Sequence, residues 1–226
     1  MSALPSIEII AQVDAAEQTG VKTGVEFLGG CLKAIRNGVQ QPIKLAFADP
    51  AAEASKIPPA RIYITSMQVE LARSKRTRED IFEHWSGQLR ELQKHSALVF
   101  LCTIFRNVSN QSASGDSIDL LARIRELNLI AVKLSHALGI NVIDIDRTMA
   151  HFGDRVLRSD FRMRSPRATD AFAHTVASAI LAAGPDDLID PMDQEKARKA
   201  LGDIDSLPRL IRRREDARRQ RAEANG

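Results

Sequence analysis

Residues 97–103 read ALVFLCT. A continuous apolar run of this length between polar segments fits a central parallel strand covered on both faces, because a strand with one wet face alternates instead. Working upstream, Thr77 with Asp80 three residues on has the form of a capping box. Ile81, Trp85, Leu89 and Leu92 then recur at helical spacing, one apolar stripe for a sheet to receive. RIYITS (61–66), IKLAFA (43–48) and SIEIIAQ (6–12) are further short β-branched runs that suit buried strands. Downstream, RNVSNQSASGDS (106–117) reads as a loop. A long helix is expected over 117–138, stopped by Gly139 in a position suited to a left-handed cap. INVIDI (140–145) is another strand, and 168–183 a closing helix ended by Gly184 and Pro185. Strands separated by helices imply a parallel sheet with right-handed crossovers. Ligands of such sheets bind beyond the carboxyl ends of the strands, so the loops after Gln12, Ser66 and Thr103, with the segment after Ile145, are where a site is expected.

Composition sets the outer bounds. The chain has 226 residues, which fits one large domain or one domain with a terminal extension; 44% are hydrophobic and 27% charged, and aromatics are sparse at 4%. The net charge of +3 is a small difference between 32 basic and 29 acidic residues and does not by itself argue for nucleic acid. The first ten residues lack a cationic start followed by an apolar run, and no stretch reaches the length needed to cross a bilayer. Cys31 and Cys102 form no CxxC pair and are expected to be reduced core thiols. A cytoplasmic protein is the expectation. There is no HExxH, no Cys/His cluster, no GxGxxG and no GxxxxGK[ST], so neither a metal nor another cofactor is expected.

Three stretches carry a family likeness: IEIIAQVDAA (7–16), the span 61–105 from RIYITSMQVE to LCTIF, and 140–182, which contains DRVLRSDFRMRSP. In order and local pattern they resemble the SGNH/GDSL hydrolases: a first strand leading into a Gly-Asp-Ser block, a strand ending in Gly-x-Asn-Asp, and a late Asp-x-x-His block before a closing helix. The resemblance implies a three-layer, flavodoxin-like α/β domain over 1–184 with a central parallel sheet flanked by helices. It also implies an esterase site built from a serine, a histidine, an aspartate and oxyanion donors.

Each of those positions is occupied differently here. Asp14 and Ala15 stand where the Asp and the nucleophilic Ser are expected; moving the register by two puts Val13 there, and neither residue can attack a carbonyl. Ser66-Met67-Gln68-Val69 stands at the Gly-x-Asn-Asp block, so Gln68 takes the place of the oxyanion amide. Asp160-Phe161-Arg162-Met163 stands at the Asp-x-x-His block, which places Met163, a thioether unable to take a proton at neutral pH, at the general base. Asp160 and His151 are the weak catalytic candidates left. His84, His95, His136 and His174 fall in predicted helices and read as packing or surface residues. Arg106, Asn107 and Asn110 at the presumed pocket rim, and Arg158, Arg162, Arg164 and Arg167 around Met163, could grip an anionic or sugar-like ligand through fork-shaped hydrogen bonds.

Beyond Gly184 the composition changes. Residues 185–206 are acidic and read as a linker or short helix; residues 207–226 hold seven arginines against three acids, a balance of +4 that leaves about −1 for the rest of the chain. Residues 185–226 are thus expected to be a charged C-terminal extension, partly helical or disordered. Its basic tail, 207–226, offers a docking surface for an acidic protein, while nucleic acid and membrane are not expected as partners. Two function classes follow. One is a non-catalytic SGNH-like protein binding a small anionic or carbohydrate ligand or a protein partner, for which the resemblance implies a place in bacterial polysaccharide or glycan biosynthesis. The other is an acyl-ester hydrolase or acyltransferase with a rebuilt site.

Overall fold

The computed structural model describes residues 4–72, 76–108 and 116–224. Its centre is a five-stranded, wholly parallel sheet of β1 (Ile7–Gln12), β2 (Ile43–Phe47), β3 (Ile62–Ser66), β4 (Leu98–Cys102) and β5 (Asn141–Ile143), in the order β2-β1-β3-β4-β5. Successive strand residues point to opposite faces, so each strand feeds two cores. Ile9, Ala11, Ile62, Ile64, Phe100 and Cys102 face one apolar cluster, and Ile10, Tyr63, Val99 and Leu101 the other. The second face is covered by α2 (Arg78–Gln93) and α3 (Asp116–Leu138). α2 starts at the expected capping box, with Asp80 N–H donating to Thr77 Oγ1 and Thr77 N–H to Asp80 Oδ2. α3 ends at Gly139, whose φ of +68° is the left-handed cap foreseen.

The first face is covered by α1 (Ala15–Ile35) and α6 (Pro166–Ala182). α1 is the element no sequence expectation covers, and its glycines explain both that and its packing. A Cβ on Gly20 would lie 2.3 Å from Phe172 Cδ1, and one on Gly24 2.7 Å from the Ala173 carbonyl oxygen. The missing side chains let the two helix backbones approach more closely than larger residues permit.

Two expectations are corrected. Strand β5 stops at Ile143 instead of 145, because Asp144 accepts the Arg147 N–H and caps α4 (Ile145–Phe152), followed by the short α5 (Asp154–Leu157). More consequentially, the domain does not close at residue 184. The expected extension forms α7 (Pro191–Leu201) and α8 (Leu207–Ala224), and Leu188, Ile189, Ala197, Leu201, Leu207 and Ile211 are buried in the same core as β1 and α1. Polar ties reinforce this: Arg36 Nε to Asp193 Oδ2 at 2.6 Å joins α1 to α7, and Arg61 pairs with Asp187. Arg167 grips Glu215 through two bonds, and Arg218 holds the buried Asp170, joining α6 to α8. A few aliphatic residues spaced on helical faces were enough to dock a segment whose average composition is that of solvent-exposed chain.

Candidate functional site

β1, β3 and β4 end side by side, with Gln12 in register with Thr65 and Ser66 with Cys102. Gln12 turns its amide outward along the sheet, donating to the Asp49 and Ala52 carbonyls at 3.0 and 2.7 Å and so fixing the loop after β2. Two residues on, Asp14 caps α1, its carboxylate accepting Ala16 N–H at 2.9 Å. The reciprocal partner is Glu17, whose Oε2 accepts the Asp14 N–H at 3.1 Å. Ala15 occupies the first exposed position of the helix, a methyl group where the resemblance expects a hydroxyl.

Glu17 does more than cap. It is fully buried, and its other oxygen accepts the Ser66 hydroxyl at 2.6 Å. Burial pushes its carboxyl from an ordinary 4.5 up to about 7, against the lowering effect of those two hydrogen bonds. Cys102, equally buried beside it, is raised well above the usual thiol range by desolvation and by Glu17's charge. Ser66 is fully committed, since its Oγ also accepts the Gln68 N–H at 3.1 Å and none of its surface is exposed. Gln68, in the 3₁₀ helix Met67–Ala72, is different: it is more than nine-tenths buried and its Oε1 has no hydrogen-bond partner among the described residues. An unmet amide oxygen in such a position is an unused acceptor.

A second group lies past β4. Thr103 Oγ1 donates to Asp144 Oδ1 at 3.2 Å and accepts the Asp146 N–H at 3.1 Å. Asp146 in turn takes the Arg106 N–H at 3.0 Å and the Arg106 guanidinium at 2.5 Å. Asn107 straps the following segment down: its Nδ2 donates to the Ser159 carbonyl and its own carbonyl accepts the Phe161 N–H, both at 2.9 Å. Asp160 is held by its own turn, accepting the Arg162 N–H at 3.0 Å with the Arg162 guanidinium 3.3 Å away and 4.8 Å above the Phe161 ring. Met163 points into the core shared with Ala11, Val13 and Cys102, from a left-handed backbone of φ +49° uncommon for a side chain of this kind. Arg164 is exposed.

The fold thus links Asp14, Ala15 and Gln68 through Glu17 and Ser66, and links Asn107 to the Asp160 turn. His151 is drawn elsewhere, its Nε2 3.4 Å from Asp205 and its ring edge-on to Phe152, and Arg167 is spent on Glu215. Asn110 lies outside the described residues. Sequence reasoning missed Glu17 and Ser66, although Asp14-x-x-Glu17 is itself capping-box spacing and pointed to a helix start. Among the described residues no group of three or more His, Cys, Asp or Glu is placed to hold a metal, and no helix is long and apolar enough to cross a membrane.

No protein-family model matches the sequence, and no curated protein is similar to it by sequence. Solved structures are similar in fold. An acetyl xylan esterase superposes with a TM-score of 0.54 at 16% identity, covering 78% of this chain and 99% of that one. The lipase/acylhydrolase of Enterococcus faecalis gives 0.55 at 15%, covering 81% and 97%, and a GDSL-like protein of Parabacteroides merdae 0.56 at 13%, covering 78% and 97%. The fold is SGNH/GDSL-like. On an SGNH/GDSL-like scaffold, Ala15 and the Ser66–Gln68 turn lie at the carboxyl end of the parallel strands, the end at which open α/β sheets take their ligands.

Proposed function

We propose that this chain is a non-catalytic SGNH-like protein that binds a ligand at the carboxyl end of its sheet without turning it over. The observation that carries the reading is Ala15, exposed at the first turn of α1, together with Met163, buried in the core: at the two positions where the resemblance expects the serine and the histidine, neither residue can attack a carbonyl or take a proton. Loss of both members of such a pair lowers the rate by several orders of magnitude. The ligand class follows from what is left. Gln68 offers an acceptor unmet among the described residues, and Arg164 an exposed guanidinium, each a group that an acetylated or acidic sugar takes up. Structural neighbours include an acetyl xylan esterase, which supports a glycan ligand and a role in polysaccharide metabolism.

The test is hydrolysis of p-nitrophenyl acetate and of acetylated xylooligosaccharides by the purified chain, with binding of the same sugars followed by calorimetry. Binding without hydrolysis above the buffer rate is expected; turnover abolished by Asp160→Ala or His151→Ala overturns the proposal.

A rebuilt acyl-hydrolase site is the second reading, and one observation favours it. Ser66 and Glu17 form a hydroxyl–carboxyl pair 2.6 Å apart, with the carboxyl titrating near neutrality, as a base-activated nucleophile requires. Against it, Ser66 has no exposed surface for an ester to reach. Ester hydrolysis that disappears in Ser66→Ala decides in favour of the rebuilt site.

A further inference from the structure

Away from the carboxyl end of the sheet, α1, α6, α7 and α8 surround a cavity of ≈ 440 Å³. This is the size range of pockets for small organic ligands. Phe27, Leu201, Leu207, Leu210 and Ile211 supply most of its apolar wall. At 1.5 Å per helical residue, Phe27 lies about 18 Å along α1 from Ala15, so this space is independent of the proposed ligand cleft.

Its charged groups are unevenly matched. Asp170 is buried and accepts both terminal nitrogens of Arg218 at 2.9 Å, a completed bidentate pair. Arg214 reaches the same carboxylate only at 3.4 Å, and its guanidinium rests 3.4 Å above the Phe27 ring centroid. One carboxylate therefore faces two guanidiniums, and Arg214, half-exposed where it lines the cavity, has among the described residues only this one long hydrogen bond. His174 Nε2 lies 3.2 Å from both the Leu201 and Gly202 carbonyl oxygens, which makes that nitrogen an N–H donor, and burial lowers its pKa, disfavouring the charged form. Glu26 also lines the cavity, at the exposed surface of α1, where water screens its charge. A largely apolar chamber whose Asp170 is already matched by Arg218, whose Glu26 faces water and whose Arg214 stacks on Phe27 is complementary to a molecule having an apolar chain and a single negative end.

We infer that this cavity is a binding site for an amphiphilic carboxylate, its chain among Phe27, Leu207, Leu210 and Ile211 and its head on Arg214. Gly30 supplies a clean way to close it: the residue lines the cavity, and a Cβ there meets nothing within 4 Å, so Gly30→Leu fills the space without disturbing the helix.

The experiment is calorimetric titration of the full chain with decanoate, with decan-1-ol and decyltrimethylammonium as head-group controls. Decanoate binding is expected, falling about fourfold for each methylene removed from the chain. Arg214→Met, which keeps the stem over Phe27, weakens it at least tenfold, and Gly30→Leu abolishes it. The proposal is overturned if decanol or the cationic amphiphile binds as tightly as decanoate, if Gly30→Leu still binds, or if decanoate does not bind. Thermal unfolding of each variant establishes that it is folded, and should Arg214→Met fail to fold, the head-group controls and Gly30→Leu decide alone. Since esters play no part, the outcome is separable from that of the hydrolysis assay.

Discussion

The two halves of α1 contrast sharply. Its first turn is sealed: Asp14, Glu17, Ser66 and Gln68 N–H are joined by short hydrogen bonds around a buried carboxyl. Its second half, from Thr23 to Cys31, borders the open chamber roofed by α8. In an SGNH/GDSL-like fold the first turn is where an exposed hydroxyl is expected, yet here polarity has been turned inward and used to join α1 to β3. What the contrast teaches is that the polar groups at the start of α1 serve to join it to β3, while the open space lies where residues beyond the expected domain boundary roof the helix.

The largest expected effect tests that boundary. Deleting everything after Gly184 removes Leu188, Ile189, Leu201, Leu207 and Ile211 from the core, all nearly fully buried. At about 1.5–3 kcal/mol for each such side chain, the loss is on the order of 10 kcal/mol, as large as the whole stability of a typical domain. A chain of residues 1–184 is therefore expected not to fold, as judged by circular dichroism and protease resistance. A cooperatively folding fragment breaks the comparison, because α7 and α8 would then be accessories.

Next in size is a pair of substitutions with opposite signs on one helix. Gly20→Ala drives a methyl group into the Phe172 ring, an overpacking expected to cost about 3 kcal/mol. Gly30→Ala meets empty space and is expected to stabilise by up to about 1 kcal/mol, because alanine is the better helix former. Urea midpoints of the two variants against the parent check this. Equal effects would show that α1 does not approach α6 closely at its first half while standing open at its second.

How far the sequence disclosed this arrangement follows the same division. The strands, α2 and the end of α3 were legible because their signals are local: uninterrupted apolar runs, a capping box at Thr77, a glycine at 139. α1 was hidden because Gly20, Gly24, Gly29 and Gly30 lower helix propensity, and only the positions of Phe172 and Ala173, far along the chain, show why Gly20 and Gly24 are needed. α7 and α8 were hidden for a related reason, since the charge of residues 207–226 outweighs Leu207 and Ile211 in any average over the segment. At the site, the residue types of Ala15 and Met163 could be read directly. The role of Glu17 could not, because its partner Ser66 is 49 residues away and its burial is tertiary.

The sealed turn makes a pH-dependent prediction. Glu17 titrates near 7 when folded and near 4.5 when unfolded, so between those values the folded chain holds more protons and stability falls as pH rises. The stabilising, protonated state is fully present below about 4.5 and lost through 7. The difference corresponds to about 3 kcal/mol. Glu17→Gln removes the titration, so relative to the parent the variant gains by that order between pH 5 and pH 8, read from urea midpoints at both. Parallel profiles would mean that the carboxyl is not sealed from water.

The smallest expected effect addresses the vacant position itself. Ala15→Ser places a hydroxyl at an exposed site in the first turn, where surface substitutions change stability by no more than about 0.5 kcal/mol. It should give no hydrolysis of p-nitrophenyl acetate above background. A serine hydroxyl is a weak nucleophile until a neighbouring base takes its proton. Of the groups that the resemblance assigns to the site, Met163 offers a thioether, and Asp160 is held by the Arg162 N–H and guanidinium in its own turn. Glu17 is closed behind Ser66 and the Asp14 N–H. Activity from this one substitution would mean that a proton acceptor does reach the first turn of α1. The catalytic end would then be an interrupted site rather than a structural one, and the contrast between the two halves of the helix would lose its sharper side.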